Sequence, residues 1–128
     1  MAKTAFKDLR VYQLAETLAD QVWVLVASWD RFAKDTLGKQ VVRASDSVGA
    51  NIAEGAGRGS FVDNRRFVKI ARGSLYEVMH LLRRAYQRNL VDAEQTERLT
   101  ALLDELGPRL NAYLRSIGAP RRTPTTDN

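Results

Sequence analysis

Proline is absent from the first 107 positions of this 128-residue chain and recurs only at 108, 120 and 124. Across that proline-free run, β-branched residues never alternate with polar ones for the length of a strand, while apolar residues return at steps of three and four. Nothing therefore breaks a helix, and the apolar period is that of a helix with one buried face. Four helical segments follow: Asp8 to Trp29, Lys34 to Glu54, Phe61 to Arg88, and Ala93 to Ile117. Short connections favour antiparallel neighbours, so the expected fold is all-α, an antiparallel up-down four-helix bundle. Residues 1–118 suffice for one domain with one core and are too few for two. The segment 119–128, rich in Pro, Thr and charge, reads as a disordered tail.

The core faces can be placed at about 100° per residue. On the first helix they are Leu14, Ala15, Leu18, Val22, Leu25, Val26 and Trp29. Tyr12, Ala19 and Trp23 widen that face to roughly half the circumference, more than one core requires, and are candidates for an oligomer interface. The alternative is a tryptophan lying partly exposed across its own bundle. The third helix offers Phe67, Ile70, Ala71, Ser74, Val78, Leu81, Leu82 and Ala85, and the fourth Leu99, Leu103, Leu106, Leu110, Leu114 and Ile117. Pro108 has no amide for the Asp104 carbonyl and presses its ring on it, so a kink or split is expected after Gly107. Ser60 and Asp63 have the spacing of a capping box, and Asp92 is an N-cap candidate.

Gly55-Ala56-Gly57-Arg58-Gly59 raises the question of a phosphate loop. A Walker loop needs Gly-x-x-x-x-Gly-Lys-Ser/Thr after a strand, and a dinucleotide fingerprint needs Gly-x-Gly-x-x-Gly. Neither spacing is present, and the glycines follow the helical stripe Leu37, Val41, Ala44, Val48, Ile52, Gly55. They are read instead as a left-handed helix end and a tight reversal. Beside that stripe, Gln40, Arg43, Ser47, Asn51, Glu54 and Arg58 fall within about 80° of one another. Ser and Asn are poor helix formers, so their presence suggests hydrogen bonds to a neighbour. The candidate polar network or subunit contact is Arg43, Ser47, Asn51, Glu54 and Arg58 with Glu77; a plain solvated face is the alternative. Ala44, Ser45, Gly49, Ala50 and Ala53 would let another backbone come close.

The absence of cysteine removes disulfides, thiolate nucleophiles and most structural zinc sites, and a lone histidine, His80, removes most other metal designs. Glu54 and Glu77 could be drawn as an acid-base pair, but arginines within a turn or so more often mark a structural ion pair. No enzyme, cofactor, metal or small-molecule substrate is therefore expected. No run approaches a membrane span and MAKTAFKDLR is too polar for a signal peptide, so no membrane partner is expected and cytoplasmic residence is the default.

A net charge of +5 admits a polyanion partner, RNA or DNA, though it does not require one. On the third helix, Arg65, Lys69, Arg72, Tyr76 and Arg83 lie within about 60°, almost opposite the expected core face. Cations around a tyrosine suit phosphate attraction with base stacking. A solvated helix face can look the same.

At these positions the chain is similar to a known family. Gln40-Val41-Val42-Arg43-Ala44, Ser47, Asn51-Ile52-Ala53-Glu54-Gly55, Gly57-Arg58, Arg66-Phe67, Ile70-Ala71, Gly73-Ser74-Leu75 and Glu77 resemble the four-helix-bundle proteins encoded in intervening sequences of bacterial 23S rRNA genes. Phe6, Leu9, Val11-Tyr12, Ala15 and Leu18 are similar to that family's first helix, so the resemblance covers about residues 6 to 86. The fourth helix matches only in pattern. The resemblance implies an up-down bundle, a homo-oligomeric ring of five copies, and no known catalysis. Its relatives include the accessory variability protein of diversity-generating retroelements, a basic pentamer that binds nucleic acid and works with a reverse transcriptase. Val42 stands where an arginine often precedes the Arg43-Ala44 pair, which weakens the transfer of nucleic-acid binding. Ala33 stands where a proline often precedes the second helix. Two functional readings result: a nucleic-acid-binding accessory module, and a purely structural or protein-interaction scaffold.

Overall fold

The computed structural model describes residues 5–120. Four long helices build it, α1 (Arg10–Ala27), α2 (Lys39–Ala56), α3 (Phe61–Gln87) and α4 (Ala93–Ser116), with no strand among the described residues. α2 packs against α1 and α3, and α4 packs against the same two, so one apolar core is enclosed between them. Two ties pin the ends of the bundle. The Trp29 indole donates to the Leu90 carbonyl at 2.9 Å, and the Arg65 guanidinium donates to the Ile117 carbonyl at 2.9 Å. No helix among the described residues is long and apolar enough to cross a membrane. Of the expected tail, residues 121–128 lie outside the described residues.

Helix starts follow the local chemistry. Ser60 accepts from the Asp63 amide at 3.1 Å, but the return half of the expected box is absent because the Asp63 carboxylate turns to Arg66 instead, at 3.8 Å. Asp92 does better than expected: it accepts from the Gln95 amide at 2.7 Å while the Gln95 side chain accepts from the Asp92 amide at 2.9 Å, a complete capping box. Ahead of α2 the chain makes a short turn, Arg31–Ala33, capped by Asp30, and then a π-helical turn, Lys34–Gly38. The wide turn seats Gly38 so closely against α1 that an added Cβ would lie 2.7 Å from Val26 Cγ1.

The core faces of α1 and α2 are buried as their periodicity requires, from Leu14 to Trp29 and from Leu37 to Gly55. On α3 the expected face is corrected. Val68 and Leu75 are buried, whereas Phe67 and Ser74 are half-buried and Ile70 is exposed. The buried arc is turned by about 40° from the one the hydrophobic pattern suggests, counting 100° per residue. On this flank α2 offers only the small residues Gly55 and Ser47, against which Phe67 and Ser74 form a half-buried seam and not core. α4 runs without a break through Pro108, so the expected split does not occur. Pro108 and Asp104 are both exposed, which leaves the carbonyl that loses its amide partner open to water.

The glycine turn also differs from expectation. Gly57 ends α2 in right-handed geometry, φ −84°, with its amide shared between the Ala53 and Glu54 carbonyls. Left-handed backbone occurs instead at Asn89, φ 61°, which closes α3, and at Gly118, φ 73°, beyond α4. Gly55 serves close approach: an added Cβ would lie 2.6 Å from Asn64 Oδ1, 3.0 Å from Phe67 Cβ and 3.1 Å from the Asn64 carbonyl.

Candidate nucleic-acid interface

The cationic stripe on α3 divides into two kinds of residue. Lys69, Tyr76 and Arg83 are exposed, and neither Lys69 nor Arg83 has an ion-pair partner among the described residues. Arg65 and Arg72 are half-buried and turned to α4, the first on the Ile117 carbonyl and the second on Asn111 Oδ1 at 3.2 Å. The turned core explains this, because the stripe then lies about 130° from the core centre and leans toward α4, not directly opposite it. The structure adds two residues that the sequence reading missed. Tyr86 and Met79 stand on the same leaning flank, exposed by 56% and 42%. Tyr86 follows Arg83 by three residues, a spacing that makes side chains neighbours on a helix and could have flagged it.

The expected polar network is two separate clusters. In the first, Ser47 and Ser74 share a hydroxyl hydrogen bond of 2.9 Å between α2 and α3. Asn51 donates to the Ser47 carbonyl at 2.8 Å and to its hydroxyl at 3.0 Å. In the second, Glu54 pairs with Arg58 at 3.2 Å, and the guanidinium carbons of Arg58 and Arg66 sit 4.6 and 4.8 Å from the centroid of the Phe67 ring. Such exposed cation-π contacts stabilise by about 0.5–1 kcal/mol each and hold the α2–α3 turn in one shape. Arg43 and Glu77 are exposed and belong to neither cluster. Asn64 Oδ1 is buried with no hydrogen-bond partner among the described residues and faces Gly55.

The candidate assembly residues also separate. Tyr12 is half-buried within its own chain, edge-on to the Phe6 ring at 4.9 Å, with Gly49 of α2 beneath it. Its hydroxyl donates to Glu16 Oε2 at 3.4 Å. Burial pushes the Tyr12 phenol above its ordinary value, and the Glu16 carboxylate adds to the rise. Ala19 is half-buried on the groove between α1 and α2. Trp23, 64% exposed, stands on the wall of a wider opening between the same helices, near Lys34, Lys39 and Arg43. Val24, on the side of α1 turned to Arg98, and Phe32, 78% exposed near Arg88 and Leu90, are bare as well.

Candidate chemistry is sparse. His80 is exposed on α3, Glu54 is committed to Arg58, and no cluster of three or more His, Cys, Asp or Glu suited to a metal occurs among the described residues.

No curated protein matches the chain. Among solved structures, a protein of unknown function from the S23 ribosomal protein family of Bacteroides thetaiotaomicron is similar, with a TM-score of 0.73 over 83% of this chain and 99% of that one. At 22% identity that likeness speaks for the fold alone. A model of the 23S rRNA-intervening sequence proteins matches residues 7–112, which takes in all of α1, α2 and α3 and most of α4. This chain belongs to the 23S rRNA-intervening sequence protein family.

Proposed function

We propose that this chain is a non-catalytic accessory protein, an antiparallel up-down bundle that assembles into a homo-oligomeric ring and binds nucleic acid through the outer face of α3. The observation that carries the binding reading is the exposed row Lys69, Tyr76, Arg83, cations with no described carboxylate partner around an aromatic ring. Such a row attracts phosphates by charge, with little regard to sequence, and offers a ring to a base. Repetition around a ring would convert weak single contacts into avidity. Assembly is supported by the bare side chains of Trp23, Val24 and Phe32, which neighbouring copies would cover. Five copies is the number that the family resemblance implies, and the same resemblance suggests an accessory role beside a nucleic-acid enzyme.

A scaffold without nucleic-acid binding is the second reading, favoured by one observation: Arg65 and Arg72, part of the expected cationic stripe, are engaged by α4. Filter binding across a salt series decides between them. Binding that weakens steeply as salt rises supports the first reading, and no binding at low salt leaves the scaffold. Light scattering tests assembly, with a mass of several chains expected and a smaller mass for Trp23→Ser with Phe32→Ser.

A further inference from the structure

Beside the exposed row, α3 and α4 part to leave an open groove of about 300 Å³. Its floor is apolar, formed by leucines of both helices and Val91, and its rim is not: Arg83 and Tyr86 stand on one side, Thr96, Thr100 and Asp104 on the other. We infer that this groove receives a single unpaired base, stacked on Tyr86, so that the nucleic acid recognised is single-stranded. The inference rests on the proposed nucleic-acid reading and narrows it to one class of strand.

Three features favour a base over other occupants. Tyr86 presents a flat ring at the mouth of an apolar slot, and a base has two apolar faces whatever its identity. Thr100 and Asp104 put a hydroxyl and a carboxylate opposite that ring, groups that pair with the polar edge of a base, a carboxylate accepting from an exocyclic amine, while the Thr96 hydroxyl donates to the Asp92 carbonyl and keeps only its acceptor side. Charge then fixes the strand's course. Arg83 at the rim and Lys69 about 21 Å away along α3 lie on one line, with Tyr76 between them as a second stacking surface. A phosphodiester backbone laid on that line meets cations at both ends and leaves its bases free to turn toward α4. An intact duplex cannot do this, because its bases are stacked and paired inside.

Fluorescence anisotropy with the full chain tests the assignment, using labelled single strands of DNA and of RNA and a duplex of the same length, all at one low salt concentration. The single strands bind more tightly than the duplex if the inference holds. Tyr86→Ala lowers single-strand affinity by about 5- to 150-fold and leaves duplex affinity unchanged, whereas Tyr86→Phe, which keeps the ring, stays close to wild type. Tyr86 is exposed, and equal thermal melting of the variants excludes a folding effect. Equal binding of strand and duplex, indifferent to Tyr86→Ala, overturns the base pocket while the general reading survives. A free mononucleotide that binds as tightly as the strand overturns it too, by assigning the groove to a small ligand. No binding of any strand removes the proposed function and this inference together.

Discussion

On the side turned to α2, α3 carries Asn64, Phe67 and Ser74 and closes on a glycine and a serine; on the side turned to α4 it carries Arg72, Arg83 and Tyr86 and leaves a groove. Both seams join the same helix to a neighbour, yet their chemistry differs. The α2–α3 seam is so close that a single methyl has no room at Gly55, and the Ser47 and Ser74 hydroxyls bond across it. The α3–α4 seam is spanned near its far end by long arginine side chains that reach for a carbonyl and an amide oxygen. Close packing of small residues fixes the angle between two helices, whereas long polar side chains tolerate adjustment. The first seam is suited to holding the frame, and the second to admitting something between its helices.

One substitution made at two sites on this frame tests the difference most directly. Gly55→Ala gains helix propensity of up to ~1 kcal/mol, but its Cβ meets the Asn64 carbonyl and Phe67 Cβ at 3.1 Å or less. Neither is the free end of a flexible side chain, so relief needs the backbone of α3 to give by a few tenths of an ångström. Overpacking of this kind costs about 1–3 kcal/mol, and chemical denaturation should show a clear net loss of stability. Unchanged or increased stability would mean that the seam can yield. Gly73→Ala, on the open face of α3 with nothing within 4 Å, should have the opposite sign. Its expected gain is about 0.5–1 kcal/mol, the helix-propensity difference alone. A loss there would break the contrast, by showing that the outer face of α3 is covered by another copy.

How far this could be read in advance varied with the kind of interaction. The faces of α1, α2 and α4 were legible because bulky aliphatic residues at three- and four-residue steps have one way to hide. α3 departs from its pattern because Phe67 and Ile70 are as apolar as Val68 and Leu75, and hydrophobicity cannot tell which pair a neighbouring helix will cover. Only the small residues of α2 decide that, and they act across the seam. The same rotation changed the candidate interface. Arg65 and Arg72 look free by sequence and are taken by α4, while Tyr86 looks incidental and stands at a groove. Ser47 bonds across the seam to Ser74, a residue that the hydrophobic pattern assigns to the core face, whereas Asn51 donates back to Ser47 on its own helix, and Arg43 and Glu77 join nothing described.

The α1–α2 seam offers the smallest test, because it combines features of the other two. Gly49 is small, as at the close seam, yet Tyr12 lies over it with its hydroxyl toward Glu16 at the rim of a groove. Burial raises the Tyr12 phenol above its ordinary value of 10.0, and repulsion from the Glu16 carboxylate adds to the rise. The neutral phenol is therefore favoured in the fold relative to the unfolded chain. Its contribution is fully present below the unfolded value and is lost as pH rises through the folded one. Stability measured by denaturation should fall above about pH 10 with a slope that Tyr12→Phe reduces, since phenylalanine has no proton to lose. Because Tyr12 is only half-buried, the reduction should be slight and smaller than either glycine effect. An unchanged slope in Tyr12→Phe would mean that the ring meets the same solvent folded and unfolded, which would place this seam with the open one.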